Sequence, residues 1–345
     1  MLNKRKNNLK SGKCINLFNV SPDVFNQTFS EKSLKALKAQ VEYWRPEGEL
    51  ERLIRNDYFF RELLQEAEIL ITGSGTPELP FDLLSKGNLR YICHVTGSIR
   101  KCISKRFLGK GILVSNWGNS ISHSIAEAAL MLILACLRRL GMIRRQLEAG
   151  YWTYQQRLPL SLYNQRIGLL GFGAVAQDLV RLLAPFKVHI QAFDPYVSNE
   201  PFQRLKVQRM DNLEELFKQN DIISLHAGMT EELDGIVNQK LLALLPDDGV
   251  LINTARGGLV NEADLLVELQ KGRLWCGLDV FVDEPLSIDS PFRYHPRCII
   301  TPHSAGPTIN CFHDMGNFAV KNILHYLRGE PLQGQITLEQ YDRIT

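Results

Sequence analysis

The sequence predicts an α/β protein of about two domains built on parallel sheets, and three observations predict it. The chain has 345 residues, and domains run to about 150 residues each. Strand-like and helix-like patterns alternate along it, the arrangement of a parallel sheet covered by helices. The stretch 166–184 reads strand, glycine turn, helix, and the region around it is long enough for a complete doubly wound domain. Hydrophobic residues make up 45% and charged residues 22%, which excludes a disordered chain, a collagen and a coiled-coil rod.

In order, the first third reads as a strand at 14–20, a helix near 31–44, a further helical stretch to 67 and a strand at 68–72. A short helix near 81–86 and strands at 89–95 and 112–115 follow. A long helix is predicted over 122–150, where Ile125, Ala128, Ala129, Leu132, Ile133 and Cys136 make a broad buried face. Its apolar run, 125–137, falls short of the roughly 20 residues that span a bilayer, so a soluble protein with no membrane partner is expected. The middle is written more sharply. Strands are predicted at 166–170, 188–193, 222–226, 250–254, 276–280 and 298–301. Helices are predicted at 174–184, 213–219, 238–245 and 262–271, and a last helix runs from Pro307 to about 328.

Lys and Arg total 40 against 37 for Asp and Glu, a net charge of +3. That gives no electrostatic footprint for nucleic acid. Lys4, Arg5, Lys6, Lys10 and Lys13 cluster at the start, but no apolar stretch follows, so a solvated end is expected rather than a secretory signal. The seven cysteines are odd in number and form no C-x-x-C pair. Several lie in apolar runs, which suits a reduced cytoplasmic protein without a metal site.

Residues 167–176, IGLLGFGAVA, hold a G-x-G-x-x-A fingerprint in the strand–turn–helix setting that the motif needs. Gly171 would make the tight turn and Gly173 would let the backbone approach a pyrophosphate. Phe172, Ala174 and Val175 share that turn and are expected at the cofactor with it, and Ala176 is small enough for the helix to pack on its strand. The helix start offers free N–H groups and partial positive charge to phosphates. The next strand ends at Asp194, 194 − 171 = 23 residues beyond the first glycine. A carboxylate there can accept both ribose hydroxyls and repels a 2′-phosphate, so NAD is favoured over NADP. His226 and Ala227, at the end of the third strand of this domain, are placed near the cofactor.

Three later segments each put a polar residue at or just past a strand end, where open α/β sheets bind their ligands. Arg256 follows Thr254 and Ala255 and precedes two glycines; its planar guanidinium can hold a carboxylate through two parallel bonds. Asp279 lies on a strand and Glu284 on the turn after it. His303 sits between Pro302 and the small residues Ser304, Ala305 and Gly306. A carbonyl that accepts a hydride needs a proton at its oxygen, and histidine suits that task. A neighbouring carboxylate would stabilise the imidazolium and fix its tautomer, while an arginine would bind the substrate carboxylate and polarise the carbonyl.

Residues 68–328 resemble the D-isomer-specific 2-hydroxyacid dehydrogenase family. The supporting strings are GILVSN at 111–116, IAE at 125–127, LGFG at 170–173, the stretch 254–260, 279–285 and 301–306. The resemblance implies two Rossmann-like/flavodoxin-like parallel-sheet domains with a cleft between them, the cofactor domain being inserted into the other. Residues 1–118 plus 308–345 would form the substrate domain and 119–307 the NAD-binding domain. It makes Arg256 the substrate-binding arginine, Glu284 the partner of the histidine, and His303 the acid/base; Asp279 matches a residue contacting the nicotinamide amide, and Thr254, Ala255, Arg256, His303 and Gly306 are also expected at the cofactor. A small 2-keto or 2-hydroxy acid is the implied substrate. The family pairs subunits through the region of the long helix, which carries more apolar positions than one packing face needs, so a homodimer is expected.

The chain departs from the family at two places. The substrate loop, commonly Gly-x-Gly-x-Asp, is here Val95-Thr96-Gly97-Ser98-Ile99-Arg100; Gly97 and Ser98 can still offer N–H groups to a carboxylate, but Arg100 stands where an anion is usual. A stretch that usually carries a proline and a threonine reads Ala227-Gly228-Met229-Thr230. Formate dehydrogenases of the superfamily carry Gln in the place of Glu284, which disfavours their chemistry. The competing reading is an NAD(H)-sensing dimeric scaffold or co-regulator on the same fold. His94 is expected to be a satisfied buried histidine rather than one that lines the cleft, and Tyr151 and Trp152 are expected to pack internally or otherwise to sit at a dimer contact.

Overall fold

A computed structural model describes residues 12–46, 49–152 and 158–344. The basic cluster expected at the start falls mostly outside them; Lys13, which is described, pairs with Glu66 and lies 3.8 Å from Glu42. The chain divides into two compact units, Met1–Ile121 with Ile309–Thr345, and Ser122–Thr308.

The first unit holds a five-stranded parallel sheet. Its strands are β1 (Lys13–Asn16), β2 (Glu42–Trp44), β3 (Ile69–Thr72), β4 (Tyr91–His94) and β5 (Leu113–Ser115), in the order β2-β1-β3-β4-β5. β3 and β4 are buried along their whole length, as strands covered on both faces must be. The C-terminal helix Phe312–Arg328 packs on β4: Tyr91 stacks on Tyr326 with ring centroids 5.1 Å apart. A Cβ at Gly316 of that helix would lie 1.8 Å from the Thr28 carbonyl oxygen, so only glycine permits this approach.

The second unit holds seven parallel strands. They are β6 (Arg166–Leu170), β7 (His189–Phe193), β8 (Gln208–Arg209), β9 (Ile222–Leu225), β10 (Val250–Asn253), β11 (Trp275–Leu278) and β12 (Cys298–Ile300), in the order β12-β11-β10-β9-β6-β7-β8. This is a doubly wound sheet whose strand order reverses between β6 and β9, the point at which such sheets open a crevice. Fully buried Ile167, Leu169, Ile222, Ile252 and Trp275 form its core with the helix Ser122–Leu137.

Several expectations are corrected. The helix expected over 122–150 is two helices, Ser122–Leu137 and Leu140–Glu148. Arg139 between them adopts a left-handed backbone, φ 59°, and is 1% exposed. Its guanidinium lies 4.2 Å from the Trp275 ring centroid and 3.5 Å from Asp248, so a long-range contact breaks a locally favourable helix. The helix expected at 31–44 ends at Gln40, and 42–44 pairs with β1 as an edge strand. The stretch to residue 67 is likewise two helices, Leu50–Asn56 and Tyr58–Glu66, separated by Asp57, whose side chain caps the second. Helices Pro22–Thr28, Lys105–Gly109 and Asn199–Leu205 and strand β8 were not foreseen; each is short and carries little periodicity. Tyr151 and Trp152 do not pack internally: they are 53% and 88% exposed.

All seven cysteines are free and buried; burial pushes the Cys93 thiol up to about 11 and Cys102 to about 12, which leaves both unreactive as nucleophiles. No helix among the described residues is long and apolar enough to cross a membrane.

Candidate active site

The glycine fingerprint closes β6. Gly171 has φ 90°, and a Cβ there would lie 2.6 Å from the Ala227 nitrogen and 2.7 Å from the His226 carbonyl carbon. This turn therefore requires glycine twice over, for its conformation and for its closeness to the end of β9. Gly173 is the N-cap of the helix Ala174–Leu183, and a Cβ there would point into open space. A side chain would fill the approach to the helix start, which is the cradle a pyrophosphate needs. Asp194, just past β7, accepts the Phe172 N–H at 2.8 Å and the Tyr196 and Val197 N–H groups at 2.9 and 3.1 Å. The Phe172 ring is fully buried 4.3 Å from that of Phe202, so this residue meets the turn through its backbone. Ala174 is exposed and Val175 half-buried.

Past β9, the His226 Nε2 lies 2.9 Å from Ser224 Oγ, and burial lowers its pKa to about 4. Past β10, Asn253 braces the turn that carries Arg256: its Oδ1 accepts the Ala255 N–H at 3.0 Å, and its Nδ2 donates to the Arg256 carbonyl at 2.8 Å. The hydroxyls of Thr254 and Thr230 are buried and meet no hydrogen-bond partner among the described residues. An orphaned hydroxyl is costly in a closed core but is what a polar group of a bound dinucleotide would satisfy.

Glu284 and His303 meet at the ends of β11 and β12, with Nδ1 2.6 Å from Oε2. The other carboxylate oxygen of Glu284 accepts the Phe281 N–H at 3.0 Å. Burial alone would raise the Glu284 pKa. The bond to His303, the Phe281 N–H and the nearby charges of His303 and Arg256 outweigh it and hold the carboxyl below its usual range. His303 has a left-handed backbone, φ 52°, uncommon for any residue but glycine. Asp279 enforces it. Its carboxylate accepts Thr301 Oγ1 at 2.5 Å and the Ser304 and Ala305 N–H groups at 2.8 and 3.0 Å, and its carbonyl accepts the His303 N–H at 2.8 Å. Asp279 is thus committed to shaping the histidine loop. A cavity of about 560 Å³ opens beside the pair, with walls from Phe281, Pro285, Leu286, Ile300 and Pro302.

In the first unit the 96–98 turn follows β4. Asn116 Nδ2 donates to the Gly97 carbonyl at 3.0 Å, and a Cβ on Gly97 would lie 2.5 Å from the Trp117 ring. Among the described residues no acceptor meets the N–H groups of Gly97 and Ser98. Arg100 is exposed.

Comparison with known proteins places these groups in a family. The description "D-isomer specific 2-hydroxyacid dehydrogenase, NAD binding domain" matches residues 130–305, 176 of the 345 residues. The chain belongs to the D-isomer-specific 2-hydroxyacid dehydrogenase family. Its second unit is accordingly an NAD-binding domain. The chain is 31% identical over 277 residues to the hydroxypyruvate reductase of Thermotoga maritima, covering 77% of this chain and 87% of that protein. It is 29% identical over 279 residues to the D-3-phosphoglycerate dehydrogenase of Methanocaldococcus jannaschii, covering 80% of this chain and 53% of the relative. The chain thus spans about half the length of the phosphoglycerate dehydrogenases it matches. In fold it resembles the glyoxylate reductase from Paecilomyes thermophila, with a TM-score of 0.80 at 22% identity over 94% of this chain and 98% of that one.

Sequence reasoning placed Thr254 at the cofactor but did not find Asn253, the Thr230 hydroxyl or the bracing work of Asp279. Asn253 ends a strand two residues before a turn, which is a faint signal for a side chain that bonds its own backbone. The Thr230 hydroxyl carries none, because any threonine in a loop looks the same.

Proposed function

We propose that this dehydrogenase-family protein transfers a hydride between NAD(H) and C2 of a D-2-hydroxy acid or 2-keto acid. The observation that carries this is the His303–Glu284 pair, because Nδ1 is taken by the carboxylate and Nε2 is left as the proton-handling atom. Bound NADH supplies the hydride. In reduction the Arg256 guanidinium holds the substrate carboxylate and polarises the carbonyl, and Nε2 of His303 delivers a proton to the carbonyl oxygen. Glu284, ionised well into the acid range, stabilises the imidazolium before transfer and fixes the ring tautomer. In oxidation the same nitrogen takes the proton from the hydroxyl. Gly97 and Ser98 offer N–H groups suited to a carboxylate, the feature that supports reading the first unit as the substrate domain. Asp194 favours NAD over NADP by accepting the ribose hydroxyls.

The protein acts as a homodimer in the cytoplasm. The exposed Met131, Leu140, Leu147, Tyr151, Trp152 and Leu158 supply an apolar surface of the kind that subunits bury, and seven buried thiols suit a reducing compartment. The test is NADH oxidation by the purified protein with a panel of 2-keto acids differing in side chain. Turnover is expected. Tight NADH binding without turnover would instead mark an NAD(H)-sensing scaffold.

A further inference from the structure

Beneath the 96–98 turn lies a buried histidine that the reaction does not use. His94 ends β4 and is 2% exposed. Its Nδ1 lies 2.9 Å from Thr72 Oγ1, at the end of β3, and its Nε2 lies 2.7 Å from Thr96 Oγ1, at the start of the turn. The ring also meets the Ser98 backbone. Burial lowers its pKa to about 4, so the ring is neutral near pH 7. A neutral imidazole has one N–H and one lone pair, so one threonine hydroxyl donates to it and the other accepts. Both ring positions are then satisfied, and the ring spans the distance from the sheet to the turn.

The turn is held from its other side as well. Asn116 takes the Gly97 carbonyl at 3.0 Å, and the Trp117 N–H reaches the Thr96 carbonyl at 3.4 Å. These bonds draw the Thr96 and Gly97 carbonyls and the Thr96 hydroxyl toward protein partners. The N–H groups of Gly97 and Ser98 meet no acceptor among the described residues. Backbone donors of this kind recognise an anion only if the turn is fixed before the anion arrives, because ordering it afterwards costs affinity.

We propose that His94 is a positioning residue for substrate carboxylate recognition, with the Thr72–His94–Thr96 clamp holding the 96–98 turn so that its N–H groups face the anion. This rests on the dehydrogenase reading given above. A histidine that merely fills the core would be replaced without selective consequence by any side chain of its size. The clamp needs a donor and an acceptor at two fixed points.

The experiment compares steady-state kinetics of the full-length protein with His94→Phe, which fills the space without bonding, and with His94→Gln, which keeps one donor and one acceptor. His94→Phe is expected to raise the KM for the best 2-keto acid roughly tenfold, the scale of one or two lost positioning bonds. Its kcat at saturating substrate and its affinity for NADH should stay within about twofold of native, as expected when only substrate binding is lost. His94→Gln should recover part of the loss. If His94→Phe does not accumulate as folded protein, Thr96→Val removes the turn-side hydroxyl alone and carries the same expectation. An unchanged KM in a folded variant, or a parallel fall in kcat, NADH affinity and melting temperature, overturns the clamp. A native protein that reduces no member of the panel overturns the dehydrogenase reading and the clamp with it. Native turnover with an unaltered KM in the variants overturns the clamp alone.

Discussion

The two units solve a similar structural problem with different chemistry. Each is a parallel sheet with a glycine-bearing turn at a strand end, 96–98 after β4 in one and 171–173 after β6 in the other. Around the second unit's sheet the polar groups are ionic: Asp194, Arg256, Asp279, Glu284 and His303. Around the first unit's turn they are neutral: Thr72, His94, Thr96 and Asn116. Where a site works through charge and proton transfer, the residue type is dictated by the reaction. Where it works through backbone N–H groups, any sequence that holds the turn will serve, and the side chains responsible lie behind it.

The comparison predicts that changes in the second unit alter rate, hold on the substrate carboxylate, cofactor choice or pH profile, while changes behind the first unit's turn alter substrate binding alone. The largest effect should come from His303→Ala, which removes the general acid and should lower kcat by about 10²–10⁴-fold. Arg256→Ala should mainly raise KM, with a smaller loss in kcat, since the guanidinium holds the carboxylate in ground and transition states alike. A His303→Ala protein within a few-fold of native kcat would break the contrast. Next in size, the native protein should prefer NADH to NADPH, and Asp194→Ala should narrow that preference by roughly tenfold, a charged hydrogen bond's worth; equal native use of both cofactors would contradict the role given to Asp194.

Glu284→Gln sharpens the contrast through pH. Because its carboxyl titrates below the ordinary range, Glu284 is an anion throughout the neutral region and stabilises the protonated ring it faces. Removing that charge should move the alkaline limb of 2-keto acid reduction to lower pH by about one unit, equivalent to about 1.4 kcal/mol, while activity on the acid side stays largely intact. A profile that does not move would show that Glu284 is not the partner that matters.

A last effect is on stability. His94 and His226, one in each unit, have folded pKa values lowered by burial to about 4. Below about pH 6.5 the unfolded chain binds their protons and the folded chain does not. Stability should therefore fall with pH between about 6.5 and 4, by at most about 1.4 kcal/mol per pH unit for each histidine, and this slope should end below about pH 4. Thermal melts across that range should show it, and substituting either histidine by Gln should make the slope shallower. A slope unchanged in both variants would mean that neither ring is held neutral.

The ionic part of the candidate site was legible because its residues stand at fixed offsets from strand ends. Arg256 comes three residues after β10, and His303 three residues after β12. The structure indeed brings Glu284 and His303 together. Asp279 was legible as a site residue, but its three bonds to the 301–305 loop were not, because the donors lie 22 to 26 residues away. The second unit's strands were readable for the same reason as its motifs: they are short apolar runs ended by glycine or polar residues. The first unit's short helices lacked a period to read.

Alternation of apolar strands and amphipathic helices was enough to specify parallel sheets, since such strands can be buried only beneath helices on both faces. The glycine fingerprint was enough to locate the tight turn after β6, because a side chain does not fit Gly171's conformation so close to the end of β9. Long-range contacts decided the rest. Local propensity favoured one helix through Arg139, yet its guanidinium found Trp275 and Asp248 and the helix broke there. Tyr151 and Trp152 looked like core residues and came out exposed. Local sequence sets the preference of each segment. Burial of a charged or aromatic side chain depends on partners brought in from far along the chain, and a satisfied partner can outweigh the preference of a helical turn.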